Sequence, residues 1–147
     1  MYVNSVNPTV STASRDLVIA APFMTGWKDQ IWDFAIRVPV VTLDELIAEY
    51  GVPEFIKIDV EGHEAEVLMG LNVPIQALSF EFTTIQRSVA YACIDRLNQI
   101  GRYELNLSLG EKHALRHKAW ITSARMKAEI AALPDTANSG DVYARLV

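Results

Sequence analysis

Between positions 55 and 70 the chain reads Phe-Ile-Lys-Ile-Asp-Val-Glu-Gly-His-Glu-Ala-Glu-Val-Leu-Met-Gly. Three ionisable residues, Asp59, Glu61 and His63, fall within five positions of one another. A carboxylate held within roughly 3 Å of a hydroxyl proton can accept or orient it, which is general-base chemistry. An imidazole titrates close to neutrality, so His63 is a further candidate base. Ahead of these residues a short apolar run, Phe55 to Ile58, stops on Asp59, and after them Gly62 breaks the strand before a helical pattern begins. Such a run reads as a parallel strand delivering polar groups to a crevice, and open α/β sheets bind ligands beyond the carboxyl ends of their strands. The alternative is a turn in which Asp59 caps the next helix and Glu61 offsets its positive N-terminus. Glu81, near the end of the run Ala77 to Phe82, is a further carboxylate offered to the same crevice, for a substrate or for an adjacent loop. Lys57 reads as an ion-pair partner.

The elements that must position these groups follow from periodicity. Residues 1–4 and 34–41 have apolar, β-branched runs suited to strands, and Pro39 puts the second at an edge or a bulge. Residues 5–33, rich in Ser, Asn, Thr and Pro, form a long connection with at most one short helix. Thr42 and Glu45 have the spacing of a capping box, which starts a helix with Leu43, Leu46 and Ile47 on one face, ended by Gly51-Val-Pro53. The run 55–58 is short and continuously apolar, so a central strand covered on both faces is expected. Helices are expected over 64–70, 85–100 and 114–133, the second with Val89, Cys93, Leu97 and Ile100 inward and the third with Trp120, Ile121, Ala124 and Ala128 inward. Strands are expected over 77–82, 103–109 and 141–147.

Lys57-Ile-Asp-Val-Glu-Gly-His-Glu64, with Val67-Leu68 and Gly70, closely resembles the K-I-D-V-E-G-x-E-x-x-V-L-x-G signature of FkbM-type S-adenosylmethionine-dependent methyltransferases. Val38 to Leu46 is similar to the V-x-V-x-T-L-D-x-L element before it, Leu78-Ser-Phe-Glu81 to the strand ending in Glu after it, and Ser11-Thr12 to a short Ser/Thr element upstream. The resemblance spans roughly residues 10 to 83. It implies an α/β fold, part of a Rossmann-like class I methyltransferase domain, with a mostly parallel sheet and a last strand inserted antiparallel between its two predecessors. It also implies S-adenosylmethionine as methyl donor, a small-molecule hydroxyl as acceptor (of a sugar or secondary metabolite), and Asp59, Glu61 and His63 lining the acceptor side with Glu81 on the substrate.

The same resemblance calls for a glycine-rich cofactor turn, because backbone must approach the ligand where a Cβ would intrude. The seven glycines stand at 26, 51, 62, 70, 101, 110 and 140, too dispersed to form one. The expectation is therefore a single domain over residues 1–147, the C-terminal portion of a methyltransferase with its first strands missing: 1–41 holds N-terminal strands and a long loop, 42–147 the α/β core. Independent cofactor binding is then doubtful. The rival expectation is a non-catalytic module that completes its sheet against a partner chain or a second copy, since an unpaired strand edge favours association.

Composition narrows the classes further. A net charge of −5 argues against nucleic acid and anionic membranes as partners. One cysteine, Cys93, leaves no internal disulfide and reads as a buried thiol. No secretion signal or membrane span is legible, so the cytoplasm is expected. No metal is expected: D-x-E-x-H across a strand-to-helix turn is no established ligand set, and His113 and His117, four apart, lack a third ligand and read as a solvated helix face.

Overall fold

Alternation sorts the strands of this chain into one apolar and one polar face. The computed structural model describes residues 1–147 except Thr25, His113 and the side chain of Glu111; His113, expected to share a solvated helix face with His117, lies outside the described residues. In chain order the elements are β1 (Tyr2–Val3), α1 (Arg15–Ala20), β2 (Phe34–Ala35), α2 (Leu43–Tyr50), β3 (Phe55–Ile58), α3 (Glu64–Met69), β4 (Ala77–Thr83), α4 (Arg87–Ile100), β5 (Tyr103–Leu109), α5 (Ser123–Ala132) and β6 (Ser139–Leu146). The main sheet runs β3-β4-β6-β5. β3 and β4 are parallel, while β6 is antiparallel to both β4 and β5. Three strands therefore point the same way and β6 lies reversed between its two predecessors. Only one of the three ladders is parallel, so the sheet is mixed.

Leu78, Phe80 and Phe82 of β4, Leu105 and Leu107 of β5, and Val142 and Ala144 of β6 fill the apolar face. Against them pack Leu68 of α3, Cys93, Ile94 and Leu97 of α4, and Met126 and Ile130 of α5. Each large apolar side chain so buried contributes about 1.5–3 kcal/mol, which makes this layer the source of the fold's stability. Burial also pushes the Cys93 thiol up, keeping it protonated and inert. The opposite face carries Lys57, Ser79, Glu81, Asn106, Ser108, Asp141 and Tyr143 in register.

β3 is an edge strand rather than a central one. Among the described residues only β4 pairs with it, and Phe55 remains 48% exposed. The helix expected over 114–133 is confined to Ser123–Ala132, with Met126 and Ile130 inward and Ala124 and Ala128 exposed. Asn106 explains this: its amide accepts from His117 N and donates to His117 O, at 3.1 and 2.9 Å. Leu105 and Ile121 bridge in addition, so residues 116–121 lie along the edge of β5, and Thr122 caps the helix that follows. Trp120 sits under the Arg145 guanidinium, 4.7 Å from its ring centre.

The strand expected over 34–41 shrinks to Phe34–Ala35, paired antiparallel with Tyr2–Val3 in a separate ribbon. Pro39 has no amide to donate, and Val38, Val40 and Val41 remain exposed. The connection before it holds one short α-helix, α1, capped by Ser14, with 3-10 turns at Pro8–Val10 and Ala21–Phe23. Leu17, Ala21 and Trp27 form a small second cluster. Trp27 also donates its indole N–H to Asn138 Oδ1 at 2.9 Å. No helix of the described residues is long and apolar enough to cross a membrane.

Candidate active site

The turn between β3 and α3 reverses on two consecutive left-handed residues, Glu61 at φ 53° and Gly62 at φ 85°. Glycine adopts that conformation freely; glutamate does so at a cost of order 1–3 kcal/mol and only when its surroundings hold it there. Two groups hold it. The buried Glu64 carboxylate accepts from the amides of Val60 and Gly62 at 3.2 and 3.1 Å, and the buried Thr12 hydroxyl donates to the Glu61 carbonyl at 2.5 Å. Neither Asp59 nor Glu61 caps α3: its N-cap position is His63, whose side chain makes no cap bond. Glu64 instead reaches back out of the helix to two amides of the turn itself.

Freed of capping, Asp59 and Glu61 converge with Glu81 from the neighbouring strand. Oxygens of the three carboxylates lie within 4.8 Å of one another. Asp59 and Glu81 open into a polar cavity of about 280 Å³ bordered by Lys57, Gly110, Ser139, Gly140, Asp141 and Tyr143. Asp59 follows β3, Glu81 stands near the end of β4, Gly110 follows β5, and Ser139–Asp141 begin the reversed β6. The cavity is thus at the carboxyl ends of the codirectional strands, where their polar groups meet.

His63 stands elsewhere. Its ring is 3.5 Å from Glu66, and it borders a separate, more apolar cavity of about 510 Å³ with Val40, Val41, Leu43 and Leu46. The structure brings together three of the four residues singled out in sequence and leaves His63 outside that group.

Crowding sets the charge of the cluster. Burial, followed by the repulsion of Asp59 and Glu64, pushes the Glu61 carboxyl up to about 7. Burial, followed by Glu61, Asp59 and Glu64, pushes Glu81 up to about 8, with Lys57 pulling the other way. Glu64 is also raised by burial, against the backbone amides of Glu64 itself, Gly62 and Val60, which favour its anion. Buried like charges this close do not all ionise together, so the cluster retains proton near neutrality. Lys57 forms ion pairs with Asp141 and with Asp59, the latter at 3.5 Å. A group of this kind can take a proton from a hydroxyl. These three carboxylates are also the described residues whose spacing could hold a divalent cation, although acidic groups commonly adopt it without one.

Two residues that shape the site were not singled out in sequence. Glu64 stands in the signature at the position where a helix begins, and its bonds back to Val60 and Gly62 explain why a glutamate is found there. Thr12 lies 49 positions from its partner, and no local pattern connects the two.

No curated protein matches the chain, and no solved structure does either. The model of the methyltransferase FkbM domain matches residues 6–111, well over half of the chain, and takes in Thr12, Asp59, Glu61, Glu64 and Glu81. The chain belongs to the FkbM methyltransferase domain family.

Proposed function

We propose that the carboxylate cluster is the acceptor side of an S-adenosylmethionine-dependent O-methyltransferase, acting on a hydroxyl of a sugar or secondary metabolite. The observation that carries this reading is the convergence of Asp59, Glu61 and Glu81 within 4.8 Å, two of them bordering a polar cavity at the carboxyl ends of β3 and β4. Methyl transfer requires the acceptor oxygen to be held in line and its proton removed. Glu61 is the base that takes the hydroxyl proton, Asp59 orients the hydroxyl, and Glu81 binds the acceptor. His63, on the far side of the turn, contributes from its own cavity only if the acceptor reaches there. We read the mixed sheet as part of a Rossmann-like class I fold, and a reducing cytoplasm suits its single buried thiol.

The methyl donor is S-adenosylmethionine by family, and its sulfonium supplies the methyl group. The residues present do not fit the whole donor. Nucleoside ligands of open α/β sheets lie at the switch point of strand order, against a glycine turn. Here the outer edge of β3 pairs with no described strand, and the glycines that flank β3 in sequence, Gly51 and Gly62, belong to a helix end and to the carboxylate turn. Among the described residues the acceptor side has its carboxylates, and no nucleoside cradle stands beside them.

That open edge supports a second reading, in which the chain is an interaction module whose sheet is completed by a partner. Calorimetric titration of S-adenosylmethionine into the purified chain, followed by counting of labelled methyl transfer to hydroxylated sugars and secondary metabolites, decides between the two. Saturable micromolar binding with transfer that Glu61→Gln lowers about a hundredfold or more upholds the methyltransferase reading. No binding and no transfer, from a chain that self-associates, overturns it in favour of the module.

A further inference from the structure

We propose that Lys57 is a positioning residue of this site: its ammonium reaches across β4 to Asp141 while holding Asp59, fixing Asp59 at the cavity rim. The charge arrangement stands on geometry alone; its use in catalysis rests on the methyltransferase reading. β3 and β6 are not neighbours, since β4 lies between them. In the parallel register Lys57 faces Ser79, and in the antiparallel register Glu81 faces Asp141. The lysine therefore crosses a whole strand diagonally, past the buried Ser79, to pair with Asp141, and still keeps Asp59 Oδ2 at 3.5 Å.

Exposed ion pairs of this kind contribute little to stability, so stability does not account for the arrangement. The surrounding charges do. The groups that face Lys57 or the cluster are Asp59, Glu61 and Glu64 from the turn between β3 and α3, Glu81 from β4, and Asp141 from β6. Lys57 is the one cation among the described residues bordering the cavity. Without it, five carboxylates face one another with no counter-charge, and the anion that lines up an acceptor hydroxyl is no longer held in one place.

The test is a titration of the side-chain carboxyls of the full chain by carbon-detected NMR between pH 4 and 10. Lys57→Met should raise the Glu81 midpoint by about one pH unit and shift the Asp59 carboxyl resonance, and Lys57→Arg should restore both. An unchanged Glu81 midpoint and Asp59 resonance in Lys57→Met overturns the proposal, as does failure of the arginine to restore them. Should Lys57→Met not fold, Asp141→Asn probes the same contact from its other end. Releasing Lys57 toward Asp59 and Glu81 should lower the Glu81 midpoint, and an unmoved midpoint refutes the assignment. These titrations need neither methyl donor nor acceptor. A chain that behaves as expected here yet transfers no methyl group would contradict the functional reading alone.

Discussion

Glu61 combines three conditions that rarely meet in one surface carboxylate: a left-handed backbone, partial burial, and two carboxylate neighbours that oppose its charge. A base is most effective when its pKa lies near the working pH. With the Glu61 carboxyl at about 7, methyl transfer should rise as pH passes upward through that value and level off above it. Glu61→Gln should abolish that limb of the pH–rate profile; a profile unaltered by the substitution would remove Glu61 from the reaction. The same crowding has a consequence for stability. The native forms of Glu61 and Glu81, at about 7 and about 8, bind protons more tightly than the unfolded chain does at 4.5. Stability from these two groups is therefore complete below about pH 4.5 and is lost as pH rises through 7 and then 8. Calorimetric melting should show Tm lower by about 5 °C at pH 9 than at pH 5, with Glu81→Gln flattening the slope. At this scale the sequence was informative where spacing was local. Asp59 and Glu61 were legible as a pair, and Glu81 as the end of the next strand. That His63 would leave the group was not legible, because left-handed backbone at both Glu61 and Gly62 decides which way the following side chain turns.

The element that makes the site is the turn between β3 and α3, and its stability rests on Glu64 more than on the residues it displays. Each amide bonded to a buried carboxylate is worth about 1.5–3 kcal/mol, and losing the carboxylate leaves donors unpaired. Glu64→Ala should destabilise the chain by about 3 kcal/mol in urea unfolding and should separate Asp59 from Glu61. A loss below about 0.5 kcal/mol, within the range of ordinary surface substitutions, would show that the two amides find other partners and that Glu64 does not hold the turn. Gly62 is fixed by its backbone: a φ of 85° strains any residue with a Cβ, whereas the Gln86 side-chain end and Leu17 beside it could accommodate one. Other elements divide according to whether their causes are local. The Thr42–Glu45 capping box appears as its spacing predicts, with Thr42 N donating to Glu45 Oε2 at 2.7 Å and Glu45 N to Thr42 Oγ1 at 3.1 Å. The alternating strands β4, β5 and β6 likewise carry their register in their own residues. Residues 114–122 have a helical composition, but Asn106 on another element takes both backbone groups of His117 and draws the segment along β5. That preference comes from a partner that local periodicity does not reveal.

At the scale of the whole molecule, one edge of the sheet is closed and the other is open. Residues 116–121 bond along β5, while β3 presents its outer side with no described strand against it. The sequence of β3 is equally compatible with a centre or an edge, because a short apolar run looks alike in both; only the absence of a described neighbour distinguishes them. Around that edge, α2 has no buried residue. The cavity it borders with Tyr50, Pro53, Phe55 and Ile56 adjoins the one it borders with Val40, Val41 and Met69, through Leu43 and Leu46, which line both. Tyr50 is 76% exposed and Val40 88%. A contiguous apolar surface next to an unpaired strand is a template for association. Sedimentation of the chain over a range of concentrations should therefore show reversible self-association. Phe55→Lys puts a charge on the free edge and should shift the equilibrium toward monomer by about tenfold or more, without lowering Tm by more than about 3 °C, because Phe55 lies outside the buried core. The control is Leu115→Lys, a large exposed apolar position beyond β5 at the opposite edge, which should leave association unchanged. If both variants dissociate the chain equally, or if the wild type is monomeric at every concentration, the β3 edge is not where this molecule meets another copy of itself.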